Sequence, residues 1–485
     1  MASDQVIFEL RKQIEFLSHQ LAQVVKENLE IKEAFTEVKS ENADLKAKNA
    51  DLEARITELE ARLNSNSRNS NMPPSSDGYR KKPALPREKK GKQGGQKGHK
   101  GRTLHQVEHP DHIVKHKPGP CCGHEIPDSK LGIAEKRQVF DFPQPRLEIT
   151  EHQILYGQCP KCGKWHRGTA PEGVNAPVQY GNGVKAYAVL LNVHFNLPFK
   201  KIRLLFSDLF GYPINESTVY SAGRQCYEKL EETEEAIKLR IAESDVTHAD
   251  ETGVRVQAKL QWLHTATSLL FTYLFMHAKR GALALTSDKS ILDKITGWLV
   301  HDCWSSYFSF DNMKHAICGA HILRELEGLA ESGQSKWAKV FKTFLMSVYM
   351  MPFEERVKRR QHIEARYTLI CGIGERAEPP PGKTPGKRGR HKRTKGRNLV
   401  ERLIREQNAV LSFAFNEGVP FTNNLAERDI SPTKVKQKIS NCFRTFTGAE
   451  IYARIQGFVS TARKHNRNVF SELCTTFEGH NFITG

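Results

Sequence analysis

The hydrophobic positions of the first 63 residues repeat every seven residues along two seams. The first seam consists of Ile7, Ile14, Leu21, Asn28, Phe35, Asn42, Asn49, Ile56 and Leu63. The second consists of Leu10, Leu17, Val24, Ile31, Val38, Leu45, Leu52 and Leu59. Because the repeat continues without a slip, residues 5 to 63 are predicted to form a left-handed coiled coil about 85 Å long at roughly 1.5 Å per residue.

Three polar residues, Asn28, Asn42 and Asn49, interrupt the first seam. Each can hydrogen-bond to its twin across a parallel dimer, whereas a shifted register would bury it against apolar side chains. A parallel homodimer is therefore the favoured state. The alternative is a single amphipathic helix that lies on the globular body, although such a helix would need a wider apolar stripe.

Two short apolar runs further along the chain are typical of strands, and each carries or precedes an aspartate. Asp250 lies in the β-branched run of residues 246–256, before a glycine turn at Gly253, and Asp302 follows the run of residues 298–301. A third acid, Glu427, is expected about one turn into a helix. Two strand acids and one helix acid can hold two magnesium ions about 4 Å apart, which is the arrangement that cuts and joins phosphodiesters.

Neighbouring acids and polar residues complete this interpretation. Glu251 is excluded as a ligand, because it points to the opposite face of a regular strand from Asp250. Asp311 is the main rival of Asp302, but the apolar run before it is weaker. Four residues are expected to support the acids through hydrogen bonds or phosphate contacts. They are His248, Asn423, Asn424 and Arg428, of which Asn423 or Asn424 can cap the helix that carries Glu427.

The segment around Glu427 reads FTNNLAERDISP over residues 421–432, and basic residues and an Arg444-containing segment follow it. It closely resembles the C-terminal catalytic segment of the insertion sequence 66 family of bacterial DDE transposases, and the similarity extends over most of the chain. The resemblance implies an enzyme that uses Mg²⁺ to nick transposon ends, frees a 3′ hydroxyl and transfers it to target DNA. It also implies accessory proteins encoded by the same element. The alternatives are a hydrolytic nuclease of the same fold, a non-catalytic DNA-binding regulator and an inactive transposase-derived protein.

The expected architecture is multidomain α+β with an RNase H-like α/β catalytic domain. Strand-like runs at residues 261–267 and 269–276 follow the Asp250 strand, and a helix is expected at 289–299. The interval of about 125 residues between Asp302 and Glu427 is too long for a loop, which predicts a helical insertion. The predicted boundaries are 1–63 for the coiled coil, 64–104 for a flexible basic linker, 105–175 for a zinc-ribbon-like domain, 176–243 for a helical region, 244–314 and 419–485 for the catalytic domain, and 315–418 for the insertion with a basic disordered loop at 376–398.

Two cysteine pairs lie on either side of a strand-like stretch in the predicted zinc-ribbon-like domain, residues 105–175. Cys159 and Cys162 have the C-x-x-C-G form that presents two thiolates to a tetrahedral zinc ion, whereas Cys121 and Cys122 are adjacent. The resemblance implies a zinc finger here, and the fourth ligand stays open. The candidates for it are Cys121, His116, His124 and His166. The alternative is a ribbon that has lost its metal and is held only by packing.

Two further motifs have more than one interpretation. The stretch around Gly211 joins two helical patterns, and the second helix is capped near Asn215 or Ser217. This pattern is typical of a helix-turn-helix that reads DNA, and equally of an ordinary helical hairpin. Cys318 and His321 share one helical turn. They are interpreted as a structural or DNA-orienting pair, with metal binding as the alternative.

The charge distribution indicates a polyanionic partner. The 485-residue chain has a formal net charge of +18, and ten lysines and arginines between residues 80 and 102 face a single glutamate. A second acid-free basic run begins at Lys383, and only a polyanion is expected to order it. The predicted DNA-binding residues are Lys89, Lys90, Lys92, Lys97, Lys100, Arg102, Lys387, Arg388, Arg390, Lys392, Arg393, Lys434, Lys436, Lys438 and Arg444.

Composition and hydropathy predict where the protein works. The N-terminal stretch is charged from Asp4 onward and no apolar run approaches the length of a membrane span, so we expect no membrane association. The ten cysteines of an intracellular chain are expected to be thiols or metal ligands rather than disulfides. The expected location is the bacterial cytoplasm, in association with the nucleoid.

Overall fold

The computed structural model describes residues 2–66, 69–70, 104–119, 122–333, 335–380 and 393–484. The strands are Tyr156–Gln158 (β1), Trp165–Arg167 (β2), Val246–Val256 (β3), Lys259–Thr267 (β4), Thr272–His277 (β5), Trp298–His301 (β6) and Lys314–Ile317 (β7). The helices of the first half are Ala2–Leu63 (α1), Asn182–Val189 (α2), Phe199–Phe210 (α3), Glu216–Lys229 (α4), Glu231–Ala242 (α5) and Ala282–Leu285 (α6). Those of the second half are Gly319–Gly333 (α7), Lys336–Met350 (α8), Phe353–Lys358 (α9), Arg360–Ala377 (α10), Lys395–Arg405 (α11), Gln407–Val410 (α12), Ser412–Phe415 (α13), Asn424–Ser440 (α14), Phe446–Lys464 (α15) and Val469–Glu478 (α16).

These elements divide into two compact units. The first is drawn from residues 1–78 and 298–423, and the second from residues 79–297 and 424–485. The prediction of a mixed helical and sheet protein is therefore confirmed at this level.

A three-stranded antiparallel meander forms the sheet of the second unit. Strand β4 lies between β3 and β5, with Asp250 opposite Thr265 and Thr265 opposite Leu274. Gln257 and Ala258 join β3 to β4, and both have positive φ angles, of 49° and 62°. This is the pattern of a two-residue type I′ turn, whose twist matches that of the flanking strands.

Helices α14 and α15 cover one face of the meander. Ile430 of α14 and Ala453 of α15 pack with Val254, Leu263 and Leu274 in one buried cluster. Burial of each large aliphatic side chain contributes about 1.5–3 kcal/mol. The helix that carries Glu427 is therefore held against the sheet that carries Asp250.

Helices α2 to α5 precede the meander in the same unit. Helix α2 continues into a π-helical turn at Leu190–His194. Helix α3 ends at Gly211, whose φ of 74° suits glycine, and α4 begins after Asn215. The turn between two helices thus lies where the sequence predicted it.

The other unit contains α1, the parallel pair β6 and β7, and helices α7 to α13. Buried residues from several of these helices, among them Leu326, Phe341 and Tyr367, form its core. These helices occupy the segment for which the sequence predicted a helical insertion. Helix α1 is continuous through the heptads, and its seam side chains are exposed, as at Ile14 and Phe35. Its pairing with a second chain stays a prediction.

Three local predictions differ from the structure. Gly253 does not end the strand: it pairs with Trp262, and a Cβ there would lie 2.9 Å from Leu260 Cδ1, so the glycine makes room for side chains of β4. The predicted helix at 289–299 is reduced to a 3-10 turn at Leu292–Lys294. The strand predicted from residue 269 begins at Thr272.

Residues 104–175 contain little regular structure. Strands β1 and β2 form a short antiparallel hairpin, with Gly157 opposite His166. Between residues 125 and 155 the structure has a 3-10 turn at Asp128–Lys130 and no strand, so the strand-like interpretation of that stretch is wrong. Its apolar side chains lie largely at the surface, which deprives any strand there of a packing partner.

Candidate active site

Asp250 lies in the middle of β3, the strand of the meander that α14 covers. Its side chain is half-buried, and its Oδ1 accepts a hydrogen bond from the backbone N–H of Glu251 at 2.9 Å. The next residue has a different role. The Glu251 carboxylate is 1% exposed and pairs with Arg280 Nη2 at 2.6 Å, which supports its exclusion from the metal ligands.

Asp302 follows the last residue of β6, and the backbone N–H of Trp304 donates to its Oδ1 at 2.9 Å. In the parallel pair, His301 lies opposite Ile317, so Asp302 lies at the edge where both strands end. Asp311 precedes β7 and is exposed. It therefore lies at the opposite edge of the pair, which favours Asp302 as the second acid.

Glu427 lies in the first turn of α14 and is half-buried. The helix begins at Asn424, as the sequence predicted. Ala426 and Ile430 are fully buried beside it, which fixes the rotation of the helix about its axis. Glu427 consequently has a defined direction relative to the meander.

A buried ionic network, which the sequence analysis missed, anchors the same helix. The Asp429 carboxylate is 5% exposed and accepts hydrogen bonds from Lys464 at 2.7 Å, Thr267 at 2.6 Å, Thr272 at 3.0 Å and Ser460 at 3.0 Å. Burial lowers the pKa of the Lys464 ammonium, and the Asp429 charge opposes that shift. Asp429 lies two residues after Glu427, so the network fixes this part of α14 to α15 and to the turn between β4 and β5.

The predicted supporting residues fall into two groups. His248 and Asn423 are buried, with 6% and 1% exposure, whereas Asn424 and Arg428 are exposed. The backbone N–H of Asn423 donates to Cys318 Sγ at 3.2 Å. The buried pair can hold backbone and side chains in place, and the exposed pair can reach a phosphate.

Cys318 and His321 lie at the start of α7. Cys318 is fully buried, and burial, followed by the charges of Arg324 and Arg402, lowers the pKa of His321 to about 4. His321 is therefore neutral near pH 7. The hydrogen bond from Asn423 to Cys318 agrees with a structural role for this pair.

The predicted zinc knuckle lies in the turn between β1 and β2. The backbone N–H of Cys159 bonds to Lys164 O, and that of Gly163 bonds to Cys159 O, each at 2.8 Å. Hydrogen bonds from the backbone N–H groups of Cys162 and Lys161 lower the pKa of the Cys159 thiol. Thiolate-directed N–H groups suit a zinc ligand, so these cysteines fit the metal.

The first cysteine pair is less complete. Cys121 lies outside the described residues, and Cys122 is exposed with a φ of 52°. His124 Nδ1 lies 3.1 Å from Cys122 O, and an N–H donated there would leave its Nε2 lone pair available to a metal. Among the described residues, Cys122 and His124 do not form one ligand group with the Cys159 pair.

The predicted DNA-binding residues after Glu427 are not equivalent. Lys434, Lys438 and Arg444 are exposed, but Lys436 is buried and its ammonium donates to Asn192 O at 2.8 Å. Burial lowers the pKa of Lys436 to about 8. Its burial, with 8% exposure, and this internal hydrogen bond argue against its assignment as a phosphate contact.

The basic run of the insertion contains no acid, but glutamates before and after the run pair with its last arginines. Arg393 pairs with Glu401, and Arg397 Nε bonds to Glu401 Oε1 at 2.7 Å while its Nη2 lies 3.2 Å from Glu375 Oε1. Protein carboxylates thus order the C-terminal end of the run, which corrects the prediction that only a polyanion would. Lys387, Arg388, Arg390 and Lys392, like the linker residues Lys89, Lys90, Lys92, Lys97, Lys100 and Arg102, lie outside the described residues.

Comparison with known families agrees with these observations. Residues 177–451, more than half of the chain, match the transposase IS66 family. Residues 120–163 match the zinc-finger binding domain of transposase IS66, and residues 8–105 match a family of unknown function. No curated protein matches the chain. The chain belongs to the IS66 family of transposases, so the resemblance seen in the sequence is confirmed.

Family membership defines the general activity. A transposase with a zinc-finger domain is an enzyme that binds and cleaves DNA, and the zinc finger implies a zinc ion. Among the described helices, none is long and apolar enough to cross a membrane.

Proposed function

We propose that this transposase nicks the ends of its DNA element and joins the freed 3′ hydroxyl to target DNA, with Asp250, Asp302 and Glu427 as the metal-binding acids. The observation that carries the proposal is the setting of these residues. Two of them lie in or at the end of strands, and the third lies in the first turn of a helix packed on the meander.

The order of elements supports an RNase H-like catalytic domain. An antiparallel meander with the first acid is followed by a parallel strand pair with the second acid, and then by a helix with the third. A helical segment, α7 to α13, separates the second acid from the third. We propose that the meander and the parallel pair belong to one RNase H-like catalytic domain and that these helices are an insertion in it.

The acidic donor set suits Mg²⁺, because hard divalent cations prefer carboxylate oxygens. Two such ions, when bound, supply charge stabilisation and activation of the attacking oxygen. The protein orients the acids: Trp304 N–H orients Asp302, and the Asp429 network anchors the helix of Glu427. His248 and Asn423 support the site from buried positions, and Asn424 and Arg428 contact DNA.

The proposed reaction has two displacements at phosphorus. In the first, a water molecule loses a proton and its oxygen forms a bond to phosphorus, the bond to the 3′ oxygen breaks, and that oxygen takes up a proton. In the second, the freed 3′ hydroxyl loses its proton and attacks a target phosphodiester, the bond to the target's own 3′ oxygen breaks, and that oxygen takes up a proton. One phosphodiester is lost and one is made in the second step, so it needs no external energy source.

Other segments supply DNA binding and assembly. The exposed Lys434, Lys438 and Arg444 contact phosphates near the cleavage site, and the basic linker with the run after Lys383 adds sequence-independent affinity. The cysteines hold zinc, and α1 forms a parallel homodimer that brings two subunits together for two DNA ends.

Strand cleavage and joining by the purified full chain test the proposal. A labelled duplex with the element's end is incubated with Mg²⁺ and a supercoiled plasmid. Nicked product with a 3′ hydroxyl and plasmid-joined product are expected. Asp250→Asn, Asp302→Asn and Glu427→Gln should each lower the rate by about 10³-fold, because each ligand contributes several kcal/mol of transition-state stabilisation.

Asp311→Asn is the matched control, because it removes an exposed acid only nine residues from Asp302. It should retain the activity of the unchanged protein. Cleavage without joining of a precut 3′ end would indicate a nuclease. Tight DNA binding with no Mg²⁺-dependent product would indicate a regulator or an inactive protein, and either result would overturn the proposal.

A further inference from the structure

A basic cleft opens in the second unit where α15 ends and α16 begins, against the π-helical turn. Its volume is about 500 Å³. Its lining includes Leu190, His194, Arg463, Arg467, Val469 and Phe470. No part of the proposed chemistry uses this cleft.

The end of α15 places two arginines on the same wall. The backbone N–H of Asn466 donates to Arg463 O at 3.0 Å, and that of Arg467 donates to Ala462 O at 2.9 Å. With Asn466 at a φ of 56°, this is a Schellman motif, which reverses the chain at a helix end. The reversal brings Arg467 to the cleft that Arg463 lines, and Asn468 then caps α16 by accepting from Ser471 N.

The opposite wall is formed by the π-helical turn, which is a local widening of the helix. Phe195 N donates to Leu190 O across it at 3.1 Å. His194 lies at the end of this turn, and its Nε2 accepts from Arg463 Nη2 at 2.6 Å. Burial, and then the Arg463 charge, lower the pKa of His194, so a neutral imidazole orients the guanidinium without cancelling its charge.

The charge of the cleft is poorly compensated. Among the described residues, no carboxylate lies within ion-pair distance of Arg463. Arg467 has a loose ion-pair partner, Glu472, at 3.9 Å, and its guanidinium lies over the Phe482 ring, 5.5 Å from the centroid. The intervening Lys464 is different, because it is buried and paired with Asp429. Arginine is thus presented to solvent at this helix end, while the neighbouring lysine is used for structure.

We propose that the cleft binds a phosphodiester of the DNA backbone outside the catalytic acids. Guanidinium groups present N–H donors in a planar fork that matches phosphate oxygens. The first N–H groups of α16 add a favourable dipole, and the apolar Leu190, Val469 and Phe470 suit the adjoining sugar. Exposure of Arg463, Arg467 and Phe470 leaves the cleft open enough for a continuous strand. The inference rests on the proposed action on DNA and adds a second anchoring point for it.

The test measures DNA affinity without chemistry. The full-length double variant Arg463→Ala/Arg467→Ala is titrated into a fluorescent 40-base-pair duplex carrying the element's end, in buffer without Mg²⁺ and without a chelator, so that any bound zinc is retained. Affinity should fall about tenfold or more, and the slope of log affinity against log salt should decrease by up to about two, because each lost phosphate contact removes roughly one counterion. A random duplex should lose affinity equally, since phosphate contacts carry no sequence information.

Arg240→Ala is the matched control, because it removes an exposed helical arginine of the same unit that faces only Glu243 at 3.7 Å. Double-variant affinity within twofold of this control would overturn the inference, and so would stabilisation by inorganic phosphate with unchanged DNA affinity. If the double variant does not fold, Arg463→Gln and Arg467→Gln separately provide the comparison, each with a decrease in slope of up to about one. Failure of the catalytic proposal would show in cleavage, and failure of the cleft would show in binding.

Discussion

The β1–β2 hairpin and the β3–β5 meander are both antiparallel, but different forces hold them. Every residue of β1 and β2 is exposed, whereas the last five residues of β4 are buried. The meander is stabilised by apolar burial and by α14 and α15. Beyond its hydrogen bonds, the hairpin has one exposed ring contact, between Tyr156 and Trp165 with centroids 5.6 Å apart. We therefore expect the zinc proposed for its cysteines to supply most of its stability, whereas the meander needs no metal.

Metal removal should separate the two regions most strongly. Cys159→Ser, or a zinc chelator, is expected to unfold the hairpin, because zinc contributes roughly 10 kcal/mol or more to such small domains. The backbone amides of the meander should stay protected from hydrogen exchange. Hydrogen exchange and zinc content by atomic absorption measure this, with Cys442→Ser as a control that retains zinc. Unchanged exchange in the hairpin after chelation would show that packing alone holds it.

The Asp429 network should be the most sensitive polar site of the meander. Asp429→Ala leaves the buried Lys464 ammonium without its counter-charge and should lower the free energy of unfolding by about 3–5 kcal/mol. Urea unfolding measures this loss. The double change Asp429→Leu/Lys464→Met, which removes both charges, should restore much of the stability. A single variant as stable as the unchanged protein would contradict the role of the network.

Acid should weaken the meander through His264. Burial lowers its pKa to about 4, from an ordinary value of 6.5, and its ring stacks on Phe275 at 5.0 Å. The unfolded chain therefore binds a proton more readily, so this histidine's contribution is present above pH 6.5 and is lost as the pH falls towards 4. The loss is roughly 3 kcal/mol. His264→Gln should flatten the pH dependence of urea unfolding, and an unchanged slope would contradict the assignment.

The smallest effect on stability is expected in α1, whose seam lies at the surface. Replacing Asn42 by Leu should strengthen association but relax its register, because a buried polar pair specifies the parallel dimer. Sedimentation should show a single dimer for the unchanged chain and additional larger species for the variant. A chain that sediments as a monomer at micromolar concentration would favour the alternative of an unpaired helix.

Local periodicity was sufficient to predict several elements near the site. The strand of Asp250, the strand before Asp302 and the helix start at Asn424 all follow from short apolar runs or caps. The turn at Gly211 follows from its glycine. These signals depend only on neighbouring residues, so the elements can be predicted without knowledge of tertiary contacts.

Features that depend on distant partners could not be predicted. The turn at Gln257 and Ala258 lacks the usual Asn-Gly signal. Phe443 supports it from a distant segment, because its C=O accepts from Gln257 N–H at 3.0 Å and its N–H donates to Arg255 O at 2.9 Å. The helix predicted at 289–299 does not extend beyond the turn at Leu292–Lys294. Gly297 packs so closely on a distant segment that a Cβ there would lie 2.5 Å from Asp245 O. Lys436 looked like its exposed neighbours in the sequence, because only tertiary packing shows which lysine is buried.

The metal-binding acids have one direct physical test. Fe²⁺ bound in place of Mg²⁺, with ascorbate and peroxide, generates hydroxyl radicals that cut the polypeptide beside the ion, and mass spectrometry locates the cuts. Cuts are expected within a few residues of Asp250, Asp302 and Glu427 together, and excess Mg²⁺ should suppress all three. Cuts near Asp311 in place of Asp302, or at only one of the three acids, would contradict the proposed site.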